Sequence, residues 1–317
     1  MRDLPFTRLG YGGANVGNLF RALTDDEAWL LLDTAWRRGV RHFDTAPHYG
    51  LGLSERRLGA FLATKRRDEY VLSTKVGRLL VADSNPARRV DDEGFAVPAS
   101  YTRVWDFSAD GVRRSLEASL QRLGLDSVDV VYLHDPERWD LGRALDTGLS
   151  ALVALRDDKL VSAIGVGSMA EEALYRAASS GAVDLLMVAG RLTLLDQSAA
   201  VDVVPACRQH DVAIIAAAVF NSGLLASSRP SEGARFDYRP APEEMLAKAK
   251  RIAEVCAEFA VPVPRAALQY PLREPTVVSV MTGGDRPEHI DQNADNLAGV
   301  IPDALWVRLR DEGLIAS

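Results

Sequence analysis

Apolar runs typical of buried β-strands alternate with helical patterns along almost the whole 317-residue chain. Such alternation is the signature of βαβ units and therefore of a parallel sheet. Strand–helix repeats with no hairpin signal between them favour a closed barrel over an open sheet. We therefore predict an α/β fold of the (β/α)8 or TIM-barrel class, formed as a single domain by residues 1–317. The eight predicted strands are Phe6–Tyr11, Val40–Asp44, Tyr70–Lys75, Val128–His134, Ala163–Val166, Leu185–Val188, Val212–Ala217 and Val277–Val280.

The helices between these strands are indicated by capping residues and by apolar periodicity. Thr24-Asp-Asp-Glu27 is a capping box ahead of a helix that ends near Arg38-Gly39. Ser54 is the predicted N-cap of a helix that reaches Leu62. Further helices are predicted at Ser108–Leu123, at Leu149–Asp157, and around Glu171, Val201 and Glu243.

Composition excludes several classes of protein. No apolar run approaches the roughly 20 residues of a membrane span, and the first residues lack the basic and apolar parts of an export signal, so a cytoplasmic location is expected. The net charge of -7 and the lack of a basic cluster argue against a nucleic-acid partner and favour a small-molecule substrate. We interpret Cys207 and Cys256 as buried apolar residues. No pattern predicts an oligomeric state.

Two connections, at about residues 76–107 and 221–240, are far longer than the roughly two to six residues usual in such units. Long loops at the active mouth of a barrel commonly bind substrate. Their polar residues suit a ligand rich in hydroxyl groups, and His48 and Trp105 are predicted to contact it. The residues that give these loops this character are Arg88, Arg89, Asp91, Asp92, Arg103, Trp105, Asn221 and Arg235.

Four polar residues lie where predicted strands run into loops: Asp44, Tyr49, Lys75 and His134. The C-terminal strand ends of a parallel barrel converge on one mouth, so these residues are candidates for one catalytic site. A tyrosine loses its proton near pH ~10 and needs a nearby cation to act as an acid or base at neutral pH. Lys75 is the predicted cation, Asp44 its counter-charge, and a neutral His134 would hold a substrate oxygen or the phenol.

Other interpretations of these residues remain open. Taken singly, Asp44 is explained as a loop cap and Lys75 as a solvated strand end. His42 and Asp44 share a strand face and, with His134, suggest a metal centre, although no further ligand cluster supports one and we predict no metal. Gly12, Gly13 and Gly17 make no dinucleotide fingerprint, because no helix begins directly on them.

The segment from Gly39 to Gly50, GVRHFDTAPHYG, followed by Ser54-Glu55 and Lys75, resembles the aldo-keto reductase superfamily. Asp44, Tyr49, Lys75 and His134 match its catalytic tetrad. Segments LGYGGA at residues 9–14, GNLFR at 17–21, AGR at 189–191, LLDQ at 194–197 and VFNSG at 219–223 are similar to a sugar-oxidising branch. The resemblance implies an enzyme with a barrel fold that uses NAD or NADP.

The resemblance also implies which residues bind the dinucleotide. Phe220 would stack on the nicotinamide ring, with Ser168 and Asp44 near it, and Gln292 and Asn293 would contact adenine. The family's lysine and arginine for the 2′-phosphate are replaced by Gly283 and His289, which leaves Arg286 as the local cation and makes NAD at least as suitable as NADP. The implied set is Asp44, Ser168, Phe220, Asn221, Ser222, Gly223, Leu224, Gly283, Gly284, Arg286, Gln292 and Asn293.

The expected reaction is hydride transfer between this cofactor and a small polar carbonyl or carbinol. The favoured direction is C1 oxidation of a D-threo-aldose such as L-fucose to its lactone, with Tyr49 as phenolate base. Alternatives are pyridoxal dehydrogenation or general aldehyde and ketone reduction. A non-catalytic protein that senses nucleotide remains an alternative of another class, since a fold does not fix a function.

Overall fold

Eight parallel strands close into a barrel in a computed structural model that describes residues 4–83, 90–229, 233–237 and 239–316. Each barrel strand pairs in parallel with both of its neighbours, and the first pairs with the last. The predicted (β/α)8 fold is therefore confirmed. The barrel strands are β1 (Leu9–Gly12), β2 (His42–Asp44), β3 (Val71–Val76), β6 (Val130–His134), β7 (Ala163–Ser168), β8 (Leu185–Ala189), β9 (Ala213–Ala217) and β12 (Val277–Thr282).

Helices surround this barrel and bury their apolar faces against the outer surface of the strands. The predicted capping box is present, because the Glu27 amide donates to Thr24 Oγ1 at 3.2 Å and the Thr24 amide donates to Glu27 Oε2 at 2.7 Å. The helices are α1 (Asp25–Arg37), α2 (Leu53–Leu62), α3 (Ala109–Leu123), α4 (Leu141–Asp157), α5 (Glu171–Ser179), α6 (Val203–His210), α7 (Glu243–Glu258), α8 (Val263–Gln269), α9 (Pro287–Ala298) and α10 (Asp303–Asp311).

The barrel interior is filled by side chains and leaves no pore among the described residues. Tyr132, Met187, Ile215 and Met281 belong to one buried apolar cluster inside the strands. Phe6 packs on this cluster and lies 4.8 Å from His42 between ring centres. The prediction that the first strand begins at Phe6 was therefore wrong, because this residue packs below the barrel and β1 begins at Leu9.

The long connection after β3 contains a hairpin that the sequence did not predict. Strands β4 (Arg78–Ala82) and β5 (Tyr101–Trp105) pair antiparallel over their whole length. This hairpin lies outside the barrel sheet. Arg88 and Arg89 lie outside the described residues. In the described part of the connection after β9, two short strands pair antiparallel, β10 (Arg235–Phe236) and β11 (Arg239–Pro240).

Two helix starts differ from the predictions. Ser54 lies inside α2 and is fully buried, and the residue that precedes the helix is Gly52. The helix predicted from Leu149 begins at Leu141, because the Asp140 carboxylate accepts the amide hydrogen of Arg143 at 3.1 Å. Helices α8, α9 and α10 were not predicted.

Two further predictions concern composition. Cys207 and Cys256 are both fully buried and make no disulfide, as expected of apolar core residues. In the described part of the chain no helix combines the length and the apolar character that crossing a bilayer requires.

Candidate active site

Three of the four predicted catalytic residues meet at the mouth of the barrel in one hydrogen-bonded group. Lys75 Nζ lies 2.5 Å from Asp44 Oδ2, 3.1 Å from Tyr49 Oη and 3.0 Å from the Thr45 carbonyl oxygen. Ser73 Oγ donates to the second Asp44 oxygen at 2.7 Å. The side chains of Lys75 and Asp44 are only 2% and 3% exposed. We call Asp44, Tyr49 and Lys75 the catalytic floor.

Charge in the catalytic floor is set by burial and by the partners inside the group. Burial alone lowers the pKa of Lys75, but Asp44 and Tyr49 outweigh burial and raise that pKa above its ordinary value. The lysine therefore remains an ammonium. Burial raises the pKa of Tyr49, and Lys75 opposes this rise without cancelling it. The hydroxyl is therefore protonated at neutral pH, and the predicted cation lies within hydrogen-bonding distance of it.

The loop that carries Tyr49 is held by close contacts with the loop after β1. Gly50 has φ of +61°, and a Cβ atom there would lie 2.1 Å from the Gly17 carbonyl oxygen. Ser54 Oγ donates to the Gly13 carbonyl oxygen at 2.7 Å and lies 2.8 Å from Thr45 Oγ1. Ser54, predicted as a helix cap, instead joins the two loops and fixes the backbone on either side of Tyr49.

His134, the fourth predicted residue, stands beside the catalytic floor. Its ring lies edge-on to Tyr49 at 5.9 Å and to His48 at 5.6 Å between centres. Burial and the nearby cations Arg78 and Lys75 hold the pKa of His134 well below its usual range. Burial, with Arg78 and Arg103 nearby, also lowers the pKa of His48 to about 2. Both imidazoles are therefore neutral, as predicted for His134.

A buried ion pair below these histidines was missed by the sequence reasoning. The Arg78 side chain is 2% exposed, and its guanidinium bonds to the Asp135 carboxylate. Asp135 follows His134 directly and has φ of +44°, in the left-handed region. The Arg78 guanidinium lies 4.5 Å from the ring centre of Trp105. The pair therefore connects the β4–β5 hairpin to the end of β6. Its signals in the sequence are two charged residues: Arg78 directly follows the strand-end glycine, and Asp135 directly follows His134.

A second ion pair joins the same hairpin to the loop of Tyr49. Arg103 binds both carboxylate oxygens of Asp91, at 2.5 Å and 3.1 Å. The same guanidinium donates to the His48 carbonyl oxygen at 3.0 Å. Two residues of the predicted polar substrate loop thus hold the loop that carries Tyr49, one of the predicted catalytic residues. His48 lies in the site wall, whereas Trp105 is separated from it by Arg78.

A groove of about 350 Å³ runs from the barrel mouth toward the start of α9. It is lined by residues 218–223 and 281–285, together with Asn15, Phe20 and Arg235. Six of the predicted cofactor residues meet here: Phe220, Asn221, Ser222, Gly223, Gly283 and Gly284. A Cβ atom at Gly283 would lie 2.4 Å from Asn15 Oδ1, so a larger residue there would require the Asn15 side chain to move. A flat aromatic ring, backbone amides and glycines are what a dinucleotide requires for close approach.

The loop of Phe220 is conformationally unusual for residues with side chains. Ala218, Asn221 and Ser222 all have φ between +45° and +56°. Such strain concentrates at ligand-binding sites. The Asn221 amide is used within the protein, because it donates to the Gly190 carbonyl at 3.2 Å and accepts from the Thr193 hydroxyl at 2.7 Å. Predicted as a cofactor ligand, Asn221 therefore supports this loop through its side chain.

The remaining predicted cofactor residues do not line the groove. Leu224 is buried in the apolar cluster beneath α7 and α8. Ser168 ends β7, and its hydroxyl accepts from the Ala170 amide at 2.8 Å. Arg286 precedes α9 and is exposed, as is Gln292. Asn293 is buried and reaches Thr282 Oγ1 at 3.4 Å, which connects α9 to the groove.

The alternative of a metal centre gains no support from the positions of its residues. His42 Nδ1 lies 3.3 Å from Ser279 Oγ, and the Asp44 carboxylate is taken by Lys75 and Ser73. Within the ranges that the structure describes, no group of three or more histidine, cysteine or acidic side chains is arranged to hold a metal ion.

Two curated proteins that are similar to this chain over almost its whole length are dehydrogenases. A D-threo-aldose 1-dehydrogenase from a Pseudomonas species is 53% identical, with 99% of this chain and 96% of the relative covered. A pyridoxal 4-dehydrogenase from Microbacterium luteolum is 36% identical, with the same coverage of 99% and 96%.

Solved structures share the fold at lower identity. A glycerol dehydrogenase from Gluconobacter oxydans superposes with a TM-score of 0.76 at 22% identity, covering 98% of this chain and 92% of that chain. The resemblance inferred from the motifs is confirmed, since residues 8–311 match the profile described as Aldo/keto reductase family. This match and the 53% identity show that the chain belongs to the aldo/keto reductase family and is an NAD(P)-dependent oxidoreductase.

Proposed function

We propose that this enzyme oxidises an aldose at C1 to its lactone, with L-fucose or another D-threo-aldose as substrate. The observation that supports the reaction type is the contact of the buried Lys75 ammonium with the Tyr49 hydroxyl. The 53% identity to a D-threo-aldose 1-dehydrogenase supports the choice of substrate. A protein that only senses a nucleotide would not need such a proton-transfer group.

In the proposed mechanism Tyr49 accepts the proton of the C1 hydroxyl. Lys75 stabilises the phenolate that accepts it, and Asp44 keeps Lys75 charged in its buried position. His134, neutral and next to Tyr49, holds the reacting oxygen through a ring nitrogen. A nicotinamide dinucleotide bound in the groove supplies the hydride acceptor for C1. Reduction of a carbonyl uses the same residues with Tyr49 as the acid.

The proposed substrate class, a ligand with several hydroxyl groups, is supported by buried polar atoms that make no hydrogen bond within the described part of the chain. His48 Nδ1, His134 Nδ1 and Arg78 Nε are buried and make no hydrogen bond to any described residue. Buried polar atoms without partners cost about 1–3 kcal/mol each, so a ligand with several hydroxyl groups is favoured over an apolar one. His48 is therefore proposed as a substrate contact, and Trp105 as support for Arg78.

The dinucleotide is proposed to bind along the groove with Phe220 against the nicotinamide ring. Gly283 and Gly284 would allow the backbone to approach the cofactor closely. NAD is proposed to be used at least as well as NADP, since Arg286 is the only cation of the predicted set. The ratio of kcat/KM for the two cofactors tests this, and a preference for NADP above about a hundredfold, equivalent to ~2.7 kcal/mol, would contradict it.

A screen of oxidation substrates with each dinucleotide tests the proposed reaction. We expect absorbance at 340 nm to rise over many turnovers with L-fucose, with a higher kcat/KM than any simple aliphatic alcohol and with the lactone as product. Pyridoxal is the second candidate, favoured by the 36% identity to a pyridoxal 4-dehydrogenase. Strong oxidation of pyridoxal with every aldose inert would reject the sugar proposal and leave the enzyme class intact.

Absence of turnover with every carbinol and carbonyl would instead favour the nucleotide-sensing alternative.

A cytoplasmic location remains a prediction and would be checked by fractionation.

A further inference from the structure

An acidic residue lines the groove just before α9. Asp285 lines the groove directly after Gly283 and Gly284 and precedes α9, the helix of Gln292 and Asn293. Its segment is held from both sides, because Tyr11 Oη donates to the Gly284 carbonyl at 3.2 Å and Arg21 donates to the Asp285 carbonyl at 2.7 Å. The Asp285 side chain is 31% exposed, and Asp285 is one of the residues that line the groove.

The cations around Asp285 are already paired with carboxylates. Arg21 Nε lies 3.4 Å from Asp285 Oδ2, and Arg21 Nη1 lies 3.1 Å from Glu27 Oε1. His289 Nδ1 lies 3.0 Å from Asp285 Oδ1. Together Glu27 and Asp285 bring two negative charges to one arginine. The neighbouring Arg286 is exposed, and Arg235, which also lines the groove, lies over the Phe20 ring.

We propose that Asp285 determines cofactor choice, by accepting a hydrogen bond from the ribose 2′-hydroxyl of NAD and repelling the 2′-phosphate of NADP. The inference rests on the proposed function, because it requires the dinucleotide to lie with its adenosine end toward α9. A carboxylate is suited to this because a ribose hydroxyl donates to it, whereas a dianionic phosphate brings like charge. The absence of the family's lysine and arginine reduces the attraction of this site for the 2′-phosphate of NADP, and the negative charge of Asp285 adds repulsion.

The variant Asp285→Asn removes the negative charge of the side chain and keeps its shape. The amide keeps the size of the side chain and an oxygen that accepts the ribose hydroxyl, and the backbone bond from Arg21 to residue 285 does not depend on the side chain. Asp295→Asn is the matched control, since it changes the net charge equally, and Asp295 lies within α9, does not line the groove and pairs with Arg38. Each protein is titrated calorimetrically with ADP-ribose and with 2′-phospho-ADP-ribose at low ionic strength.

We expect the wild type to bind ADP-ribose more tightly than its 2′-phosphorylated form. Asp285→Asn should strengthen binding of the phosphorylated ligand by about tenfold, the scale of like-charge repulsion across a few ångströms, and change binding of ADP-ribose by less than about threefold. Asp295→Asn should leave the ratio of the two dissociation constants as in the wild type. The gain should shrink as salt is added.

The inference is overturned if Asp285→Asn leaves the ratio unchanged, or if Asp295→Asn shifts it equally. Binding is measured without turnover, so the result is independent of the proposed reaction. A shifted ratio in a protein that oxidises no substrate would support the role of Asp285 and reject the proposed function. Failure of both ligands to bind the wild type would reject both.

Discussion

The catalytic floor and the acidic end of the groove both place a carboxylate against a cation, but they differ in contact with solvent. Lys75 and Asp44 are almost completely buried and are satisfied by Tyr49, Ser73 and the Thr45 carbonyl. Asp285 and its partner Arg21 are 31% and 42% exposed. Removing one partner of the buried pair is therefore expected to destabilise the fold, whereas substitution in the exposed pair is expected to leave the fold intact.

This difference in burial distinguishes the site of the proposed reaction from the site of the proposed cofactor choice. In the catalytic floor, removal of one group leaves another charge buried without a partner, so large and coupled losses are expected. At the end of the groove, water and salt screen each charge, so substitution is expected to change a ratio of affinities by small factors. The predictions below test this contrast, starting from the largest expected effect.

Tyr49→Phe should remove the reaction while sparing dinucleotide binding. The change deletes only the hydroxyl that Lys75 contacts and keeps the ring. We expect kcat to fall by about 10² or more, the scale of a lost general base, with the dissociation constant for NAD almost unchanged. Tyr175→Phe, on the exposed side of α5, is the control and should retain full activity. Retention of more than about a tenth of wild-type turnover would reject Tyr49 as the proton acceptor.

Lys75→Met should reduce both turnover and stability. The substitution strands the Asp44 carboxylate, so we expect a loss of about 3–5 kcal/mol in the free energy of unfolding, measured by urea titration. The double variant Asp44→Asn, Lys75→Met removes both charges and should recover most of that stability without recovering activity. Equal stability of the single and double variants would show that Asp44 is not held in place by Lys75.

Arg78→Met should destabilise the protein through Asp135. The guanidinium is fully buried and bonds to that carboxylate, which is 22% exposed, so we expect a loss of about 3 kcal/mol in the free energy of unfolding. Arg66→Met breaks a matched pair with Asp68 in which both side chains are more than 60% exposed, and it should leave the free energy of unfolding almost unchanged. Similar losses in the two variants would contradict the contrast between buried and exposed pairs.

Much of the fold could be predicted because its elements are local in sequence. The capping box of Thr24 and Glu27 occurs as expected, the helix predicted at Ser108–Leu123 is present as α3, and the apolar runs became barrel strands. The β4–β5 hairpin was missed because residues 83–100 separate its strands, whereas turn signals identify connections of roughly two to five residues. Phe6 was misplaced because an apolar residue that closes the barrel resembles one inside a strand.

In the site, the sequence identified residues that share a motif and missed those defined by three-dimensional contacts. Asp44, Tyr49, Lys75 and His134 converge as predicted from their positions at strand ends. The pairing of Arg78 with Asp135 joins segments from different units, so the local sequence marks each charged residue but not the contact between them. The sequence indicated that cations for a 2′-phosphate were missing, but it could not show how closely an acid approaches the groove.

The central claim is that Tyr49, supported by the buried Lys75, accepts the substrate proton during oxidation. Because burial raises the pKa of Tyr49 above its ordinary value of about 10, the hydroxyl is protonated at neutral pH, and the fraction of phenolate grows as pH rises. The most direct test is the single-turnover rate of L-fucose oxidation from pH 6 to pH 10 by stopped flow, with NAD saturating. We predict a rate that rises steadily with pH, and a rate that is constant or falls over this range would contradict the assignment.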